Sequence, residues 1–235
     1  MEPAETIRTA VAAVSRLRVQ TAASSLLLEA VQKIKLFQAR RFRATYADLL
    51  VSDEYGPATQ FFLDELYSDK DFEQRDAQFA KIAGALQSFF PKQVVSTAVK
   101  LATLHRLTEE LDHQMAIEIQ SASGMDEARK YVQAWNFVGR RADRKLQLTT
   151  VLSVGLELER LTQTPGLRLM LKMMRRPAHA AGLGALQTFL EAGFDTFSAM
   201  SGKKKLVTSF LSTIDERESK LIQDLFLSKV NQISN

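Results

Sequence analysis

A chain of 235 residues, 46% hydrophobic and 25% charged, has an ordinary globular composition and enough length for one sizeable core. The absence of cysteine excludes a disulfide framework, thiolate chemistry and cysteine-ligated metal. A formal charge of +4 is only mildly basic; the sequence offers no run of about 18 apolar residues to span a bilayer and no basic-then-apolar leader at its start, so a cytoplasmic location is expected.

Ten glycines and five prolines are few for this length, and Leu, Ala, Gln, Lys, Arg and Glu are abundant, which favours helices throughout. No segment alternates apolar and polar residues over more than four positions, and no repeat of fixed period is visible. The expectation is an all-α single domain, residues 1–235, of about eight helices.

Residues 4–20 carry Ile7, Ala10, Val11 and Val14 at helical spacing. Ser24 or Ser25 caps a second helix predicted to run to residue 50, with Leu27, Ala30, Val31, Ile34, Phe37, Phe42 and Leu49 on its buried stripe. Gln38, Arg41 and Thr45 share that stripe, which predicts a buried polar layer halfway along it. After Pro57 comes the densest apolar run of the chain, Phe61-Phe62-Leu63-Asp64-Glu65-Leu66-Tyr67. Wound as a helix it buries most of its circumference, and this segment is expected at the molecular centre.

Asp71 then caps a helix over 72–89, and Pro91 opens another to residue 120, with Val94, Ala98, Leu101, Leu104, Leu111, Met115 and Ile119 inward. His105 and Asp112 fall near the centre of that buried face. Residues 126–161 read as one long helix with Tyr131, Trp135, Ala142, Leu146, Thr149, Ser153 and Leu156 inward. Thr164-Pro165 begins a short helix that Arg176-Pro177 interrupts after Met174. A helix with Leu186, Phe189, Leu190, Phe194 and Phe197 follows, and a last one, opened by Lys203-Lys204-Lys205, shows a clean stripe from Val207 to Leu225.

The run at 61–67 resembles the signature of the uncharacterised bacterial FFLEELY motif protein family, with Asp64 where that motif has Glu. Gln74-Arg75-Asp76-Ala77-Gln78-Phe79, Arg176-Pro177-Ala178 and Gly182-Leu183-Gly184-Ala185-Leu186-Gln187 resemble further parts of it, so the likeness covers most of the chain. It implies a bacterial source and no substrate, cofactor or partner. The order of helices also resembles that of globins. By that likeness His105 would be a proximal haem ligand, and Gln78 or Phe79 would lie on the distal side.

The candidate chemistry begins with charge on apolar stripes. A carboxylate at Glu65 is costly to bury unless a cation answers it. Arg41 on the preceding helix is the expected partner; Arg40, Arg43 and Arg75 are the alternatives. With Gln38 and Thr45, such a pair either fixes helix packing or lines a pocket for a small anionic ligand, a carboxylate or phosphate. His105 and Asp112, two turns apart, can share a proton or, with a further ligand, a metal ion. Glu110 and His113 have the Glu-x-x-His spacing of di-iron bundles, but once where two are needed.

Met170, Met173 and Met174 with Phe189, Phe194 and Phe197 read as core or as a groove for a partner helix or acyl chain, and Arg175-Arg176 beside them suits an anionic membrane surface. The basic clusters at 140–145, 172–176 and 203–205 come without any nucleic-acid-binding motif, so nucleic acid is disfavoured as a partner. No Gly-x-Ser-x-Gly turn or phosphate-cradling loop is present. The reading is a non-enzymatic helical binding or regulatory protein of the bacterial cytoplasm with a buried polar pocket lined by Gln38, Arg41, Thr45, Glu65, His105 and Asp112. Its competitors are a haem- or metal-binding protein using His105 and a weak binder of nucleic acid or anionic surfaces.

Overall fold

The computed structural model describes residues 1–65, 72–121, 125–201 and 204–232, and the described residues form eleven α-helices and no strand. They are α1 (Pro3–Ala22), α2 (Ser25–Thr45), α3 (Ala47–Leu50), α4 (Gly56–Glu65), α5 (Glu73–Phe89), α6 (Lys92–Ser121), α7 (Glu127–Val138), α8 (Arg141–Thr162), α9 (Leu167–Ala180), α10 (Gly184–Ser201) and α11 (Lys204–Gln232). Several starts follow from local chemistry. The Ser24 hydroxyl accepts from the Leu27 amide at 3.3 Å, and the Asp126 carboxylate accepts from the Arg129 amide at 2.9 Å, each satisfying a donor that its helix leaves open. The role expected of Asp71, the end of the motif helix at Leu66-Tyr67 and the start at Lys203 lie outside the described residues.

The helices outnumber the expected eight because two long ones are broken. Tyr46, at φ −114° and ψ 22°, separates α2 from the single turn of α3. Gly139 and Arg140, at φ +65° and +48°, reverse the backbone between α7 and α8. That second break changes which residues α8 turns inward. Arg144, Leu148, Val151, Val154 and Leu161 are buried, whereas Ala142, Leu146, Thr149 and Leu156, predicted inward on one continuous helix, are exposed. Pro177 does not end its helix either: α9 carries it internally and closes one turn later at Ala180.

The centre is α6 rather than the motif helix. Its thirty residues pack against α1, α2, α7 and α8, and residues on several of its sides are buried, among them Val95, Ala102, Leu107, Leu111 and Met115. The motif helix α4 lies between α3 and α10 and feeds Phe61 and Phe62 into the largest apolar cluster. Phe62 meets Phe197 and Phe210 with ring centroids 6.0 and 5.7 Å apart, and Phe61 stacks on Phe189 at 5.9 Å.

At the contact of α8 with α11, Gly155 lets the two backbones close. A Cβ there would lie 2.6 Å from Leu211 Cδ2, inside van der Waals contact, and Leu211 is itself buried. Gly155→Val is therefore expected to destabilise by about 3 kcal/mol through overpacking. Gly155→Ala should cost far less, because gaining about 1 kcal/mol of helix propensity offsets a smaller clash. Urea denaturation of both variants measures the difference.

Candidate functional site

Helices α1, α2, α4, α5, α6, α7, α8, α10 and α11 contribute to the wall of a cavity of about 250 Å³, and α9 adds Leu167 and Leu171. Its lining changes character along its length. On α6 the wall runs from Val94 through Leu101 and Leu104 to His105, Thr108, Glu109 and Asp112; on α8 it runs from Leu161 through Leu158 and Val151 to Gln147 and Arg144. Apart from Thr97, whose hydroxyl donates to the Gln93 carbonyl, both helices turn from apolar to polar at the level where Gln147 of α8 meets Thr108 of α6. Val94 to Asp112 covers about 27 Å of helix at the standard rise per residue. The cavity is thus elongated and amphipathic, with an aromatic and aliphatic arm enclosed by Phe79, Leu86, Phe90, Leu186 and Phe194.

Five of the six sequence-predicted residues, Gln38, Arg41, Glu65, His105 and Asp112, line this cavity. Thr45 does not. It sits one turn beyond Arg41, and its carbonyl accepts from Arg217 Nη1 of α11 at 2.6 Å. The expected pairing of Arg41 with Glu65 also fails. Arg41 reaches α11, where Nη1 and Nη2 donate to Glu218 Oε1 and Oε2 at 3.0 and 3.2 Å, and Tyr46 donates its hydroxyl to the same carboxylate at 2.8 Å. Glu65 is met instead by Arg75, one of the named alternatives, whose Nη1 donates at 3.0 Å while its guanidinium lies 3.8 Å over the Phe72 ring. The local α4–α5 partner is closer than the one across the cavity.

His105 and Asp112 share a face but no contact. His105 Nε2 lies 2.8 Å from Asp76 Oδ2, which also accepts from Arg18 Nη2 at 2.6 Å. Burial pushes the Asp76 carboxyl up, but the hydrogen bonds and charges of His105 and Arg18 outweigh it and hold the group below its usual value. Asp112, 2% exposed, accepts from Gln38 Nε2 at 2.9 Å, and burial holds its carboxyl above the usual value. Gln78, placed by the globin likeness on a distal side, spends its Oε1 on the Leu186 amide at 2.9 Å. Glu110 and His113 are engaged separately, by Arg106 and by Thr21. Among the described residues no group of three or more His, Asp or Glu is placed to hold a metal ion.

Arg144 was missed, because the uninterrupted helix gave it the wrong face. It is 4% exposed, its guanidinium lies 3.9 Å over the Trp135 ring, and it makes no ion pair among the described residues. Nη1 donates to Gln147 at 3.3 Å and Nη2 points to Met115 Sδ at 2.9 Å, while Nε and the neighbouring Trp135 Nε1 are buried donors without an acceptor. Glu218 was missed too, although its position was readable: Leu211, Ile214, Leu221, Ile222 and Leu225 place it in the middle of the stripe called clean. Asp76 stands likewise on the stripe of Phe79, Ala83 and Leu86.

Glu218→Ala removes the twofold acceptor of a buried guanidinium and should destabilise by about 3–4 kcal/mol, whereas Glu65→Ala, at a more exposed pair, should cost about 2 kcal/mol. Chemical denaturation gives both values. The two buried aspartates act oppositely with pH. Asp76, lowered on folding, contributes stability above the usual carboxylate range that is lost as pH falls through its folded value; Asp112, raised on folding, contributes stability at low pH that is lost as pH rises through its folded value. Unfolding midpoints measured against pH should therefore lose part of their acid-side fall in Asp76→Asn and gain stability at neutral pH in Asp112→Asn.

No curated protein and no solved structure matches the chain. The model of one family, described as a domain of unknown function, DUF8198, matches residues 17–232, nearly the whole length, and the chain belongs to that family.

Proposed function

We propose that this protein is a non-catalytic, single-domain binding protein of the bacterial cytoplasm, of the FFLEELY motif type, whose cavity holds an amphipathic small molecule. The apolar body of that molecule occupies the arm between α6, α8 and α10, and its acceptor-bearing, anionic head lies at Arg144. One observation carries the reading: the lining passes from apolar to polar at the same level on two facing helices and ends at a buried arginine with no carboxylate partner among the described residues.

Energetics support an occupant. Without an occupant, the apolar part of the lining forfeits contacts that a packed interior would make. An apolar ligand supplies those contacts, and water can do so only in the polar part. The head-group end supplies donors: the Arg144 guanidinium and the Trp135 indole both border it, and each keeps a buried N–H without an acceptor. Burial pushes the Asp112 carboxyl above its usual value. The predicted small anionic ligand is retained in this form, extended by the hydrophobic tail that the arm accommodates.

The test is displacement of a fluorescent long-chain fatty acid from delipidated protein. Binding in the micromolar range or tighter is expected. Arg144→Gln should weaken it about ten-fold, equivalent to ~1.4 kcal/mol, and Leu101→Trp, which fills the arm, should abolish it without unfolding the chain. Absence of binding by the folded wild type, or equal binding by all three proteins, overturns the reading. A Soret band or bound metal that disappears in His105→Ala would favour the competing haem or metal reading instead.

A further inference from the structure

Helix α9 shows solvent a face that no other described helix covers. Leu167 and Leu171 point to the cavity. At 100° per residue, Leu169, Met173 and Pro177 form a strip on the outer side, and Lys172 and Arg176 form a second strip directly beside it. Leu169 and Met173 are 62% and 69% exposed, which is unusual for large apolar side chains one turn apart.

The charges of the helix are one-sided. It contains no acidic residue. Of its other two arginines, Arg168 is met by Asp195 at 3.0 Å and Arg175 by Glu191 at 2.7 Å, both on α10, so these pairs hold α9 in place. Lys172 and Arg176 have no ion pair among the described residues, and their charge is left for a partner.

We propose that this face of α9 docks on a bilayer surface bearing anionic lipid headgroups. Leu169 and Met173 enter the boundary between headgroups and acyl chains, and Lys172 and Arg176 meet lipid phosphates at the level above. An anionic bilayer matches both strips together. A nucleic acid would use the cations and leave the apolar strip in water, whereas the groove of a protein partner would use the apolar strip and require acidic residues of matched position. The docking does not depend on what the cavity holds.

Co-sedimentation of the full chain with vesicles tests this, using equal parts of phosphatidylglycerol and phosphatidylcholine, and phosphatidylcholine alone. Partitioning should be at least about ten-fold stronger on the anionic vesicles and fall with salt, as expected when lysine and arginine lie at a charged surface. The pair Leu169→Ser with Met173→Ser and the pair Lys172→Glu with Arg176→Glu should each lower it about ten-fold, with circular dichroism and melting temperature unchanged because all four side chains are exposed. If a double variant loses its fold, Met173→Gln alone should still show a smaller loss. Equal partitioning of the wild type on both vesicle types overturns the proposal. So does binding that survives removal of the apolar pair and fails only on charge reversal, or a solution dimer that the apolar pair of substitutions dissolves.

Discussion

A guanidinium or carboxylate removed from water is costly unless something answers it, and the ion pairs that answer several of them here tie distant helices together. Arg41 on α2 is clasped by Glu218 near the far end of the chain, with Tyr46 closing the carboxylate's remaining side. Asp76 on α5 collects Arg18 from α1 and His105 from α6. Arg75 bridges α5 to Glu65 at the end of α4. Such pairs add little net stability over an apolar replacement, but each is expensive to break, so together they fix which helices meet and in what register. They also stand as pillars around an open interior. Side chains committed to partners in the wall do not collapse into the space they border.

The polar layer on α2 and the inward position of Asp112 were legible because both depend only on helical periodicity within one uninterrupted element. Gln38 stands 74 residues from Asp112 in sequence, yet each stripe is continuous and reports its own face. Partner choice was not legible in the same way. Arg41 and Glu65 are charged residues on the apolar stripes of helices that follow one another, but succession along the chain does not determine which helices become neighbours, and Glu218 is 177 residues away from Arg41. Glu218 and Asp76 are legible as inward carboxylates only when the polar residues of an apolar stripe are weighed along with its leucines and phenylalanines.

The same distinction explains the element count. Composition and scarcity of turn residues sufficed for an all-helical chain, since helix formation is local. The break at Tyr46 has no proline or glycine to mark it, and Gly139 sits in a sequence whose apolar spacing runs on without interruption. Periodicity presupposes continuity. Where the backbone turned, every later position on the predicted stripe was displaced, and the buried face of α8 was misread as a group.

That corner has a geometric outcome beyond the two helices it separates. On a single straight helix, nine residues at 100° each would set Arg144 about half a revolution from Trp135, on opposite sides of the rod. Here the guanidinium carbon lies over the indole, 3.9 Å from the ring centre. Gly139 and Arg140 work as a clutch, disengaging the angular position of the downstream rod from that of the upstream one. Because that corner is not helical, the 100° per residue accumulated along α7 is not carried into α8, so each rod can turn inward the face that its own apolar residues require.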